Sequence, residues 1–276
     1  MRETGISEAP LFGESGPVPV DRLRAVLARL AQPRSDPSPL PLLPELDRVL
    51  GGGLVRGALH EVTSATEQDV AAATGFAAAL LARALSGGKK PALWVRHSFA
   101  TLEDGAPYGP GLAAFGLDPG RLLFVLAVNK HEMLGAMEQA LRSGALAVVL
   151  GELRNTSKLD LRATRRLSLA AAHGATPGIL LRLGAGKKLL AVPVSAATRW
   201  RIAALASGEA PADSLGAPRF QADLVRNRRG PAASFSLEWR THDRTFSIPA
   251  LCERLAQAAL DRPDPAPAQT KLRAPA

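Results

Sequence analysis

A chain of 276 residues, 46% hydrophobic and 21% charged, is long enough to bury a large core, and its Ala, Leu and Val richness with scattered Gly and Pro suits one compact α/β domain. The single cysteine, Cys252, excludes an internal disulfide framework and gives no metal-ligand spacing, and no run of about 18 apolar residues offers a membrane span. The net charge of +9 is unevenly placed: 21 of the 34 basic residues but only 10 of the 25 acidic ones lie from Arg142 onward. That asymmetry fits an anionic partner, nucleic acid or an acidic protein face; the competing reading is a set of solvated arginines.

Residues 1–19 are rich in Gly, Pro and Glu and are expected to be disordered. They lack the basic start and apolar core of a signal peptide, so a cytoplasmic location is expected. Over residues 20–44 the spacing predicts an amphipathic helix, Val20 to Leu30, then a Pro-rich linker from Gln32 to Pro44. A helix this short is marginal alone, so it packs either on this domain or on a neighbouring molecule.

The main domain, 45–250, alternates strand and helix, which predicts a mostly parallel sheet covered on both faces. Strands are expected at Ala58 to Val62, Pro91 to Val95, Leu122 to Leu126, Ala145 to Leu150 and Gly178 to Leu183. Helices are expected at Val70 to Leu85, Gly111 to Phe115, His131 to Ser143 and Leu159 to His173. Then the rhythm changes: Trp200 to Leu205, Phe220 to Arg226 and Ser234 to Trp239 alternate like strands joined by Gly/Pro turns, an antiparallel extension. Residues 251–276 read as a final helix, Leu251 to Leu260, and a flexible basic tail carrying Lys271 and Arg273. The glycines Gly51, Gly52, Gly53 and Gly57 are expected to supply positive φ angles in a turn before the first strand, and Gly75 close packing of helix on sheet.

The connection between the first strand and first long helix carries the main chemical question. In a nucleotide-binding strand-loop-helix unit it reads G-x-x-x-x-G-K-[ST], because backbone amides and a lysine together neutralise phosphates. Here it runs Thr63-Ser64-Ala65-Thr66-Glu67-Gln68-Asp69-Val70-Ala71-Ala72. Val70 stands where a lysine meets a phosphate, and Glu67 and Asp69 repel an anion.

Three segments together resemble the RecA-type ATPase core: LDRVLGGGLVRGALHEV, FGLDPGRLLFVLAVNKHEMLGAMEQALRSGALAVVLGEL and PRFQADLVRNRRGPAASFSLEW. From about Leu42 to Trp239 the chain more closely resembles the ImuA family, RecA-like accessory proteins of a bacterial damage-inducible mutagenesis cassette. The resemblance implies a RecA-like core with a degenerate nucleotide site at Ser64, Asp69, Val70 and Ala71. The position of the water-activating acid falls near Arg96 to Ser98, where there is no carboxylate, though His97 is a possible base. The metal-linked acidic position keeps Glu152, equally readable as a loop residue paired with Arg154 or Lys158. Loss of the lysine, the hydroxyl and the catalytic acid together implies no ATPase activity and no cofactor.

Two loops that contact single-stranded DNA in RecA-type proteins correspond to residues 154–158, with Arg154 and Lys158, and 184–188, with Lys187 and Lys188. Their cations suit salt-sensitive, sequence-independent binding, but neither loop has an aromatic residue for base stacking, so solvated loops are the competing reading. Arg226, Asn227 and Arg228 correspond to a RecA segment whose two lysines reach the nucleotide of the adjacent filament subunit. Alternate residues of a strand share a face, so both guanidiniums suit one polyphosphate; a solvated cluster guarding an edge strand is the alternative. The resemblance therefore implies a non-enzymatic protein linking the end of a RecA filament to an ImuB-type polymerase-like protein and an error-prone replicative-type DNA polymerase. A single-stranded-DNA-binding regulator acting alone and a SulA-like division inhibitor are the other classes.

Overall fold

The computed structural model describes residues 22–23, 26–27, 38–98, 105–154, 159–184, 186–207 and 216–249, without the side chains of 186–188. The expectations for residues 1–19, for the terminal helix Leu251 to Leu260 and its tail, and for Cys252 lie outside the described residues. Leu23 and Leu27, one helical turn apart, are buried among the residues under the helices of one sheet face, so this N-terminal helix packs on its own domain.

The Pro-rich stretch is shorter than expected. Leu40 and Leu54 exchange both backbone hydrogen bonds at 2.8 Å, and Pro44–Leu50 is a helix, α1. Proline at its first turn sacrifices no intrahelical bond, Glu45 and Asp47 favour its positive end, and Gly51 ends it in the left-handed region at φ 71°. Gly52 and Gly53 continue the turn at φ 106° and 119°, and a Cβ on Gly53 would strike the Leu40 carbonyl. Gly57 does not share this role: its φ is not positive, and a Cβ there would meet Ala172 at an ordinary 3.5 Å.

The remaining elements are β1 (Leu59–Ser64), α2 (Val70–Ser86), β2 (Ala92–His97), α3 (Gly109–Ala114), β3 (Leu122–Ala127), α4 (Lys130–Ser143), β4 (Val148–Arg154), α5 (Leu161–Gly174), β5 (Gly178–Leu183), α6 (Gly186–Ala191), β6 (Thr198–Leu205), β7 (Arg219–Asn227), β8 (Ala233–Arg240) and β9 (Thr245–Ser247). They build one sheet in the order β3-β2-β4-β5-β1-β6-β7-β8-β9. The expected architecture holds, but β4 begins at Val148 and runs on to Arg154 where Ala145 to Leu150 was expected, and the antiparallel part starts later. β6 runs parallel to β1, so the antiparallel part begins only where β6 meets β7. The sequence reading missed α1, α6 and the three-residue β9.

The sheet buries both faces. Ala-rich α2 lies over β1, β4, β5 and β6 on one side; its small side chains bring the helix axis close, and Phe76 packs against Trp200, Phe220 and Phe246 at 5.4–5.8 Å. Gly75 also faces this layer, where a Cβ would meet Phe220 at 3.5 Å, a contact that does not require glycine. On the other side α4 covers β2, β3 and β4, and α5 covers β1 and β5. Asn129 and Asp160 cap these two helices through the amides of Glu132 and Arg162, both at 2.9 Å. Among the described residues no helix is long and apolar enough to cross a membrane.

Candidate functional site

The C-terminal ends of parallel strands are where an open α/β sheet leaves room for a ligand. A cavity of about 410 Å³ lies there, bordered by Val70, Ala71 and Thr74 of α2, Trp94 and Arg96 of β2, Glu152 of β4, Leu183 of β5 and residues 105–107. Val70 and Ala71, the residues standing for lysine and hydroxyl, thus line it with apolar groups.

Ser64 belongs to β1 rather than to the loop. Fully buried, it donates to the Gly184 carbonyl at 2.8 Å and accepts from the Gly184 amide at 3.1 Å, tying β1 to the end of β5. The connection proper is residues 65–69, and it is pinned sideways onto β6. Ala65 donates to the Ile202 carbonyl at 2.7 Å, while the Asp69 carboxylate accepts from the Ala204 amide at 2.8 Å and from Thr66 Oγ1 at 2.6 Å. Asp69 therefore places a fixed carboxylate just before α2, at the helix end that in a phosphate loop faces an anion.

The back wall holds an internal ion pair. Arg96 and Glu152 are register partners on adjacent strands, with Arg96 Nη2 2.8 Å from Glu152 Oε1 and both side chains at most 5% exposed. Arg96 Nη1 also donates to the Gly105 carbonyl at 2.7 Å, and Trp94 Nε1 donates to Glu152 Oε2 at 3.0 Å. Glu152 is thus a buried strand residue neutralised by Arg96, not a loop residue. His97 follows Arg96 in the same strand, so its side chain leaves by the opposite face and does not border the cavity.

A second buried cluster lies deeper in the sheet. Glu61 of β1 receives Arg182 Nη1 of β5 at 2.7 Å and Arg199 Nε of β6, its register partner. Arg182 and Arg199 also donate to the carbonyls of Leu189, Leu190 and Val192 at 3.1–3.3 Å. The surplus guanidinium is satisfied by the C-terminal end of α6, where helix carbonyls are unpaired and cations are favoured. His60 beside it is fully buried: its Nε2 bonds the Val55 carbonyl and its Nδ1 the Thr198 hydroxyl, each at 2.8 Å, and burial lowers its pKa from 6.5 to about 4.

At the end of β7 the three predicted residues divide. A register shift opposite Arg199 and Trp200 precedes them, so simple alternation does not decide where they point. Arg226 reaches the Val194 carbonyl at 3.4 Å and Arg228, beyond the strand, reaches Ser195 Oγ at 3.5 Å, so both exposed guanidiniums lie along one segment before β6. Asn227 turns elsewhere. Its Nδ2 donates to the Val49 carbonyl at 2.9 Å and its Oδ1 accepts from the Arg229 amide at 3.0 Å, which anchors the strand end to α1. Further along β7, Asp223 feels opposing effects. Burial pushes its carboxyl up, but hydrogen bonds from Ser234, Arg201 and Gln221 with the Arg201 charge hold it below the usual range.

Across 216 residues the chain is 35% identical to "Protein ImuA" from two strains of Caulobacter vibrioides, alignments covering 73% of this chain and 84% of those proteins. The chain belongs to the ImuA family. No protein-family model matches it. Among solved structures it aligns with the crystal structure of the RadB recombinase at 17% identity and a TM-score of 0.49, over 75% of this chain and 97% of that one.

Of the loop cations singled out in this ImuA-family chain, Arg154 is the last residue of β4 and half-buried. Lys158 lies outside the described residues. Lys187 and Lys188 sit on the short helix α6 rather than in an open loop, and their side chains are not among those described. Sequence reasoning missed the pairing of Arg96 with Glu152 and the cluster around Glu61. The signal available was a charged residue inside each apolar strand, Glu61, Arg96, Arg182 and Arg199; which charges meet depends on strand order.

Proposed function

We propose that this chain is a non-enzymatic, RecA-like accessory protein of damage-induced translesion mutagenesis, docking on the end of a RecA filament and linking it to an ImuB-type polymerase complex. The observation that carries the reading is the composition of the cavity: apolar Val70 and Ala71 at its mouth and the Arg96–Glu152 pair at its back. Among the described residues that line it, a polyphosphate entering there meets no lysine and only a guanidinium already bonded to an acid. The carboxylate that a metal ion would need is held by Arg96. Membership of the ImuA family supports a role in the mutagenesis system, and the shared direction of Arg226 and Arg228 supports a contact with a partner's anionic group. Such a protein contributes arginines to a neighbour's nucleotide without offering one of its own.

The test has two arms. Equilibrium binding of fluorescent ATP in the presence of magnesium is expected to show no saturation at micromolar protein; saturable binding or hydrolysis refutes the nucleotide-free reading. Arg226→Ala with Arg228→Ala is expected to weaken co-sedimentation with RecA filaments by about tenfold or more while the urea midpoint stays put, because both side chains are exposed. Unchanged co-sedimentation refutes filament docking.

A further inference from the structure

We infer that the outer face of α5 is a docking surface for an acidic amphipathic helix of a partner protein. α5 buries Thr164, Leu167, Ala170, Ala171 and Gly174, and the opposite side carries Leu161, Arg162, Arg165 and Leu169. Residues three, four and seven apart share a helix face, so Leu169 ends a stripe in which Arg165 lies four residues and Arg162 seven residues before it. Leu161 lies one turn from Arg165 at the same face's edge.

Leu169 is 61% exposed and Leu161, two turns before it, 48%. The charges are one-sided. No acidic residue occurs within α5, and neither Arg162 nor Arg165 has an acidic partner among the described residues. The neighbouring Arg166 differs, because Glu138 of α4 holds it and Arg142 together. The surface is also rigid. Ser195 N donates to Thr164 Oγ1 at 3.0 Å, and Gly174 lets the end of α5 lie directly on the Leu141 carbonyl of α4.

A leucine one and two turns beyond two arginines that have no acidic partner among the described residues fits a helix that brings an apolar side chain to Leu169 and carboxylates to Arg165 and Arg162. Nucleic acid is the poorer fit: phosphates would neutralise the arginines but leave Leu161 and Leu169 uncovered, and no aromatic residue on α5 offers stacking. This inference goes beyond filament docking and does not depend on it, since Arg226 and Arg228 lie on β7 and beyond it.

The experiment uses the full chain and a fluorescein-labelled synthetic helical peptide with leucines along one face flanked by glutamates. Saturable anisotropy binding is expected. Leu169→Glu, and separately Arg162→Glu with Arg165→Glu, are expected to weaken it by about tenfold or more, and a lysine-flanked peptide to regain binding only to the double Arg→Glu chain. These side chains are exposed, so an unchanged circular dichroism spectrum and urea midpoint keep the comparison valid. The inference is overturned if the peptide does not bind, or if Leu169→Glu leaves its affinity unchanged. It is also overturned if Leu169→Glu instead converts an oligomer to a monomer in sedimentation, which would make a second copy the occupant. Loss of single-stranded oligonucleotide binding in the double Arg→Glu chain, with Leu169→Ser neutral, would assign the face to nucleic acid and overturn it equally.

Discussion

Removing one member of the Arg96–Glu152 pair tests whether the cavity wall is held by charge. Both side chains are at most 5% exposed, and each makes a second hydrogen bond, Arg96 to the Gly105 carbonyl and Glu152 from Trp94 Nε1. Arg96→Met leaves the buried carboxylate in the wall without its guanidinium partner. Stranding a buried charge in this way costs about 3–5 kcal/mol, whereas replacing both partners by apolar groups of similar volume is often nearly neutral. Arg96→Met is therefore expected to lose about 3–5 kcal/mol. Glu152→Leu should lose a similar amount, and the double variant should recover to within about 2 kcal/mol of the wild type. With a urea m-value of about 2–3 kcal/mol/M, the single variants shift the unfolding midpoint by roughly 1–2.5 M. The assay is urea unfolding followed by tryptophan fluorescence, with Trp94 reporting on the wall itself. Single variants as stable as the wild type would mean that the cavity hydrates the charges, and the ion-pair account would fail. A double variant as unstable as either single one would mean that shape and not charge holds the wall.

The remaining predictions concern the scaffold. His60 titrates at about 4 in the folded chain and 6.5 when unfolded, so between those values the unfolded chain binds more protons and stability falls as the pH falls. The loss contributed by this group is about 3 kcal/mol across the window and none above it. The stability difference between wild type and His60→Gln should shrink by that amount from neutral to acid pH; a pH-independent difference refutes the assignment. Gly174→Ala would drive its Cβ into the Leu141 carbonyl oxygen where α5 meets α4. It is expected to cost about 1–3 kcal/mol in thermal unfolding, and a melting temperature at or above the wild-type value refutes that contact.

Much of the fold was legible because periodicity is a local property. The alternation of apolar strand and helix segments announced a mostly parallel sheet covered on both faces, which β2, β4 and β5 form, and a helix at Leu159 to His173, where α5 lies. Two elements were not legible: α1 starts at the end of a Pro-rich stretch, and β9 is stabilised by its pairing with β8 and by Phe246 against Trp239. The candidate site divided in the same way. Val70 and Ala71 could be read as lacking phosphate chemistry because side-chain identity needs no neighbour. Asn227 could not be distinguished from Arg226 and Arg228, because only the folded chain turns it toward Val49.

The sequence by itself determined the alternating α/β order, the absence of a lysine in the first strand-to-helix connection and the basic second half. Each of these is a property of composition or local spacing. Tertiary structure alone decided that Arg96 neutralises Glu152, that Glu61 gathers Arg182 and Arg199, and that Leu169 faces water. The physical reason is that charge pairing is set by distance in space. Arg96 and Glu152 become neighbours only because β2 pairs with β4 in the register that sets one opposite the other.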